Sequence, residues 1–269
     1  MRKLCLFLLN LVTVLACVVA VAQPLPLDLI QGGEVAEERA YISAWREATP
    51  QEVQGFLETV ADVNAVNKEG DTLLHYALRA DAEPRVIRLL LEAGADPRAR
   101  NDAGDFPLLM SAKSSLPEVS VLLLTTSAKE DINSQQAVTG ATPLINAIVS
   151  GAPQLVQTLL NAGADASVID SLGADALGYA VSAGNVEIVS MILSAGGNLN
   201  QQSIAGVTPL MLAVRQPTLV KRQPDYELIR FLLDAGADTT LKDKNGMTAY
   251  DYAVANPYFD NENLLARLK

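Results

Sequence analysis

The side chains that could carry chemistry are few. The 269-residue chain has one His, His75, and two Cys, Cys5 and Cys17, both inside an apolar N-terminal stretch. A disulfide, a thiol nucleophile or a Cys-rich zinc site would need those two Cys, and a Ser-His-Asp hydrolase would have to use His75. Carboxylates are plentiful, with 31 acids against 20 bases and a formal net charge of −11. Paired-carboxylate chemistry is therefore the one major hydrolytic strategy that composition leaves open. It requires a deep pocket that perturbs one of the two pKa values. Pairs such as Glu69 with Asp71 and Asp102 with Asp105 stand beside glycines that read as exposed turn tips. Scattered acids with a single His also lack zinc or calcium-loop spacing. No catalytic residue, cofactor or metal is expected.

The acidic balance argues against nucleic acid and against anionic membrane surfaces, both of which select clustered Lys and Arg. Those two bases near the start, Arg2 and Lys3, belong to a different signal. Leu4 to Val19 is apolar apart from Asn10 and Thr13, and Ala20-Val21-Ala22 precedes Gln23-Pro24. A basic start, an apolar middle and a small-x-small end predict a secretory signal peptide, residues 1–22, cleaved after Ala22. Without it the chain has no thiol, and its charge falls to −13. A lipid-carrying Cys17 and an uncleaved anchor are the alternatives, and all three readings export the body. Residues 23–34, rich in Pro and closed by a Gly pair, predict an extended linker.

The remainder is built from recurring elements. Gly70-Asp71-Thr72-Leu73-Leu74-His75-Tyr76-Ala77 returns as related strings at Gly104, Gly140, Gly173, Gly206 and Gly246, with spacings of 34, 36, 33, 33 and 40 residues. In phase with them run Ala93-Gly94-Ala95-Asp96, Ala162-Gly163-Ala164-Asp165, Ala195-Gly196-Gly197-Asn198 and Ala235-Gly236-Ala237-Asp238. Thr72, Thr142, Thr208 and Thr248 suit the cap of a first helix, with Asp175 in the same role. Pro107, Pro143 and Pro209 suit its first position. A second helix is predicted from paired apolar residues at i, i+3, i+4, as in Val86-Ile87 with Leu90-Leu91 and Ile188-Val189 with Ile192-Leu193. Each is ended by a left-handed Gly.

These two signatures resemble the ankyrin repeat family, which has about 33 residues per unit and a Thr-Pro-Leu-His-x-Ala motif. The resemblance runs from about Val35 to Lys269. It implies an all-α ankyrin solenoid of helix-turn-helix units joined by β-hairpin loops. The expected layout is a degenerate N-cap at 35–66, repeats near 67–100, 101–136, 137–169, 170–202 and 203–242, and a C-cap at 243–269. His75 holds the family's His position, which implies structural hydrogen bonds. Trp45, the one Trp, reads as an anchor of the cap core. Two units depart from the pattern. Thr125 to Asp131 replaces the Gly-Ala-Asp string and puts the next hairpin's geometry in doubt. About seven extra residues fall around Gln216 to Gln223.

In ankyrin proteins the partner usually lies in the concave groove of hairpin tips and first helices. Here the hairpin flanks change along the array, from Lys68, Glu69, Asp71, Asp102 and Asp105 to a more apolar stretch. The candidate partner-binding residues are Val138, Ala141, Leu172, Ala174, Ile204, Val207 and Met247. The alternative is that adjacent hairpins bury these side chains against each other. Lys221 and Arg222, in the insertion, are added as a basic loop on an acidic body. The expected function is non-enzymatic binding of a protein partner by a monomer in the periplasm or cell envelope. A secreted effector meeting a host protein is the alternative, and a carboxylate-based hydrolase ranks last.

Overall fold

The computed structural model describes residue 42 and residues 44–114, 116–215 and 224–269. The expected signal peptide, linker and start of the N-cap lie outside the described residues, as does the insertion at 216–223 with Lys221 and Arg222. Among the described residues every regular element is helical. None of the helices is long and apolar enough to cross a membrane.

Two compact units divide after Ala95. In the first, helix α1 (Pro50–Leu57) opens on a Thr49–Glu52 capping box, with Pro50 at its first position. Helices α2 (Leu73–Arg79) and α3 (Pro84–Glu92) follow, and α3 packs against both α1 and α2. Trp45 is fully buried and meets Phe56 edge to face, ring centroids 6.2 Å apart. That quadrupole-favoured geometry closes the end of the core. The turn from α2 to α3 needs a left-handed residue, supplied by Asp81 at φ 52°.

The second unit repeats one plan. First helices α4 (Pro107–Ser111), α6 (Pro143–Val149), α8 (Ala176–Ala183), α10 (Pro209–Arg215) and α12 (Ala249–Ala255) stack in order. Each pairs with a second helix: α5 (Pro117–Leu123), α7 (Pro153–Asn161), α9 (Val186–Ser194), α11 (Tyr226–Asp234) and α13 (Glu262–Leu268). The caps explain the starts. Thr142, Asp175, Thr208 and Thr248 each accept the backbone N–H three residues on. The ends of the second helices are equally regular. In α9, Gly197 N–H reaches Ile192 O at 2.9 Å and Gly196 N–H reaches Leu193 O at 3.1 Å. That is a Schellman motif, and the same pair of bonds closes α3, α7 and α11. Of each predicted apolar quartet, three residues are buried and the fourth is half-buried, as with Ile188, Val189 and Ile192 against Leu193.

The hairpins are narrow turns rather than extended ribbons. In 170–174, Asp170 N–H meets Ala174 O at 2.8 Å and Gly173 N–H meets Asp170 O at 3.0 Å. Neighbours are joined by single backbone bonds: Ser171 N–H to Thr139 O, Ile204 N–H to Leu172 O and Lys244 N–H to Ala205 O, at 3.0, 2.8 and 2.9 Å. Glutamines add side-chain stitches, Gln135 to Ile169 O and Gln202 to Lys242 O.

The irregular second repeat keeps its hairpin, one residue wider. Gln136 N–H pairs with Ala141 O, and Gly140 N–H bonds Gln136 O, four residues back instead of three. The remaining extra length forms a 3₁₀ turn at Ser127–Asp131. Its buried Asp131 receives Arg98 and Arg100, both at 2.9 Å, and Ser134 Oγ at 2.8 Å. Those contacts, with Glu130 also paired to Arg98, hold the Arg98 guanidinium above its usual pKa. Helix α4 is short, and Asn146 Nδ2 of α6 takes up its Leu109 carbonyl at 2.9 Å.

Candidate functional site

The carboxylates do not form a catalytic pair. Asp71 was expected on an exposed tip, but it is 3% exposed and ion-paired with Arg79 at 2.8 Å. The cause is local. Asn67 Oδ1 accepts the N–H of both Glu69 and Asp71 and shapes the turn, and the Arg79 ion pair engages the Asp71 carboxylate. Glu69 and Asp102 stay exposed, and Asp105 is half-buried. His75 is buried, and its Nδ1 receives Thr72 N–H at 3.2 Å and faces Thr72 Oγ1 at 2.9 Å. That makes it part of the helix cap. Among the described residues no three His, Cys, Asp or Glu converge as metal ligands would.

The apolar hairpin residues fall into three places. Leu172 and Ile204 are 64% and 59% exposed on successive tips, and with Ala174 and Val207, both half-buried, they line one pocket of about 430 Å³. Val138 is also exposed, at 72%, but outside that pocket, as are the half-buried Ala141 and Met247. The floor comes from first helices: Asp175, Gly178, Tyr179 and Ser182 at α8, and Pro209 and Leu212 of α10. So hairpin stacking does not cover Leu172 and Ile204.

Three substitutions relative to the other units line this space. At the position of His75, Ile145 and Met211, α8 has Gly178, which has no side chain to lay over the cap. On the next helix Leu212 stands where Tyr76, Tyr179 and Tyr252 stand in three other units and Met110 and Asn146 in the remaining two. Those tyrosines are tied to the residue nine earlier: Asn67 donates to Tyr76, while Tyr179 and Tyr252 donate to Asp170 and Asp243 at 2.6 and 2.7 Å. Burial, then the bond to Asp170, pushes the Tyr179 phenol up to about 12. In the unit of Leu212 the earlier residue is Ser203, which holds Val207 N–H at 3.2 Å and leaves no tether to a tyrosine. The third substitution is Asp175 for the capping Thr. Its Oδ1 accepts Gly178 N–H at 3.0 Å, while Oδ2 is buried with no hydrogen-bond partner. Burial pushes this carboxyl up, against several backbone N–H groups that pull it down. Tyr179, Leu212, Gly178 and the orphan oxygen were not singled out from sequence. The departures of Gly178 and Leu212 from their equivalents were the available signal.

The family profile described as ankyrin repeats (3 copies) matches residues 81–170, 108–203 and 144–243. The chain belongs to the ankyrin-repeat family, and as such it is a protein–protein interaction module. It is 30% identical over 227 residues to the E3 ubiquitin-protein ligase KEG of Arabidopsis thaliana, covering 80% of this chain and 13% of that protein. To neurogenic locus notch homolog protein 1 it is 31% identical over 168 residues in Homo sapiens, covering 62% of this chain and 6% of that protein. In Xenopus tropicalis the identity is 33% over 153 residues, covering 56% of this chain and 6% of the other. The chain thus spans a small fraction of these relatives' length.

Proposed function

We propose that this protein is an exported, non-enzymatic binding module that holds a partner protein in the periplasm or cell envelope through the pocket between hairpins 170–174 and 203–207. The observation that carries the reading is the pair Leu172 and Ile204, exposed on successive tips over an apolar floor. Apolar side chains left uncovered together mark a contact surface. Export rests on the basic-apolar-small pattern of residues 1–22.

The partner is obtained by affinity capture from the protein's own envelope fraction, and the purified pair is then tested with Leu172→Asp combined with Ile204→Asp. Binding is expected to be lost, since each buried apolar contact removed costs roughly 1.5–3 kcal/mol before any charge penalty. The melting temperature of the free protein should hardly move. Undiminished binding, or a large fall in melting temperature, would refute the assignment. For location, osmotic shock should release the protein, and its intact mass should correspond to a chain starting at Gln23. A mass showing a lipidated Cys17 would refute cleavage after Ala22.

A further inference from the structure

We infer that the partner protein lies along the hairpin tips in one direction, through a segment that is basic where it meets Asp102, uncharged and apolar in the middle, and acidic where it meets Lys244. This rests on the pocket being the partner's contact, as proposed above, and adds the polarity of the segment that fills it.

The tips of the second unit form one continuous row. Gln136 Nε2 donates to Ala103 O, Ser171 N–H to Thr139 O, Ile204 N–H to Leu172 O and Lys244 N–H to Ala205 O. Turns 101–105, 136–141, 170–174, 203–207 and 243–247 therefore follow one another in order. The glycines repeat that order. A Cβ on Gly104 would strike Ala137, one on Gly140 Ser171, one on Gly173 Ile204 and one on Gly206 Asp243. Each turn thus lies directly against the next.

Charge is distributed unevenly along this row. No Lys or Arg occurs between Lys129 and Arg215. The one acid in the three central turns, Asp170, is buried and holds Tyr179 Oη, Leu172 N–H and Ala174 N–H. What those turns expose instead is Val138, Leu172 and Ile204. Charge reaches solvent at the two ends, with opposite sign. Asp102 in the first turn and Lys244 in the last are both exposed, each in the turn position that Ile204 holds in its own. Arg100, two residues before Asp102, is paired with Asp131 and lies over the Phe106 ring, 4.4 Å from its centroid. At the other end Asp243 is buried and takes the Tyr252 hydroxyl.

A charge-depleted apolar centre with charge at its rim is the anatomy of a protein contact. Unlike charges at the two ends also make it directional, because a partner turned end for end would set like charges together. Stacked helices stand about 8–10 Å apart, so the four steps from Asp102 to Lys244 take about 32–40 Å, the reach of about 10–12 extended residues. That exceeds the Debye length of about 8 Å at physiological salt, so each end is read by its own local charge.

The probe is a synthetic peptide of about 12 residues, long enough to span the row. It carries two lysines at one end, two glutamates at the other and leucines in a Ser/Gly middle, with a nitroxide on either end. Binding to the purified protein at low salt is followed by NMR through the methyl signals of Val138, Leu172, Ile204 and Met247. The label on the lysine end should broaden Val138 more than Met247, and the label on the glutamate end should do the reverse. The two orientations should differ in population by about 2- to 30-fold, the scale of two exposed ion pairs. The pattern should invert in the double variant Asp102→Lys, Lys244→Glu, whose substituted side chains are exposed. It should vanish at about 1 M salt, where the Debye length is about 3 Å. The inference is overturned if both labels broaden the two methyls equally, if the pattern is opposite or fails to invert, or if the peptide leaves Leu172 and Ile204 unmoved. Shifts of these methyls with protein concentration alone would put a second copy of the chain on the row and overturn it too. Equal broadening, with partner binding still lost in the Leu172→Asp, Ile204→Asp protein, would overturn the polarity alone. Survival of partner binding in that variant would instead remove the site reading beneath it.

Discussion

Replacing Asp175 by Thr is expected to stabilise the free protein at neutral pH. The variant restores the residue type that caps α2, α6, α10 and α12, and Thr142 and Thr208 show that one hydroxyl at 3.2 Å suffices for the cap. It removes a carboxylate that is 1% exposed and has one unpartnered oxygen. An unmade buried acceptor costs about 1–3 kcal/mol. For a chain of this size that is roughly a 2–12 °C rise in melting temperature. The pH dependence gives a second handle. Burial holds the folded-state pKa of Asp175 above 3.8. Its contribution is therefore most favourable while it is protonated, below the unfolded value, and is lost as pH rises through the raised folded value. The difference in melting temperature between variant and wild type should be small in acid. It should grow as pH passes the folded pKa and then level off. Calorimetric scans of both proteins across the acid-to-neutral range measure this. No gain at neutral pH, or a difference that is flat across the titration, would refute the assignment of an unpaired buried charge at this position.

Three further outcomes are expected. Gly173→Ala and Gly246→Ala share a left-handed backbone, φ 73° and 80°, but an added Cβ would sit 2.9 Å from Ile204 N in the first and meet nothing in the second. Both should lose about 1–2 kcal/mol from backbone strain, and urea titration should show a further 1–3 kcal/mol for Gly173→Ala alone, from overpacking. Tyr179→Phe removes the 2.6 Å donor to buried Asp170 and should cost about 1.5–3 kcal/mol in the same titration. Tyr252→Phe should flatten the acid limb of stability: its hydroxyl is the main cause of the lowered Asp243 pKa, so it supports stability that is present above 3.8 and lost as pH falls through the folded value. An unchanged acid limb in thermal melts would contradict that.

The periodic features were legible because they are backbone requirements. Gly94, Gly163, Gly196 and Gly236 must take up φ of 91–103° to end their helices, and few residues other than Gly adopt that conformation readily. Caps and apolar quartets are local in the same sense. Leu172 and Ile204 could be proposed as tips, but whether the next hairpin covered them is a question of distance between units, which no spacing encodes. The carboxylates were harder still. Asp71 and Asp105 look alike in sequence, and Asn67 and Asn101 hold their N–H groups alike, yet the first is buried against Arg79 and the second is half-buried. The floor was missed because its clearest mark is an absence, the side chain at Gly178. Only comparison between units reveals a missing group.

The single backbone bond from Ile204 to Leu172 has a mechanical consequence. It marks a seam between two repeats, and the pocket straddles it. In an array whose stability is a sum of units and nearest-neighbour interfaces, each seam can part on its own. A partner gripping both tips makes this seam harder to open, and by reciprocity any pull that opens the seam weakens the grip by the same factor. The Ile204 amide is thus a built-in gauge. Its hydrogen exchange should slow when the pocket is filled and quicken when the repeats are drawn apart.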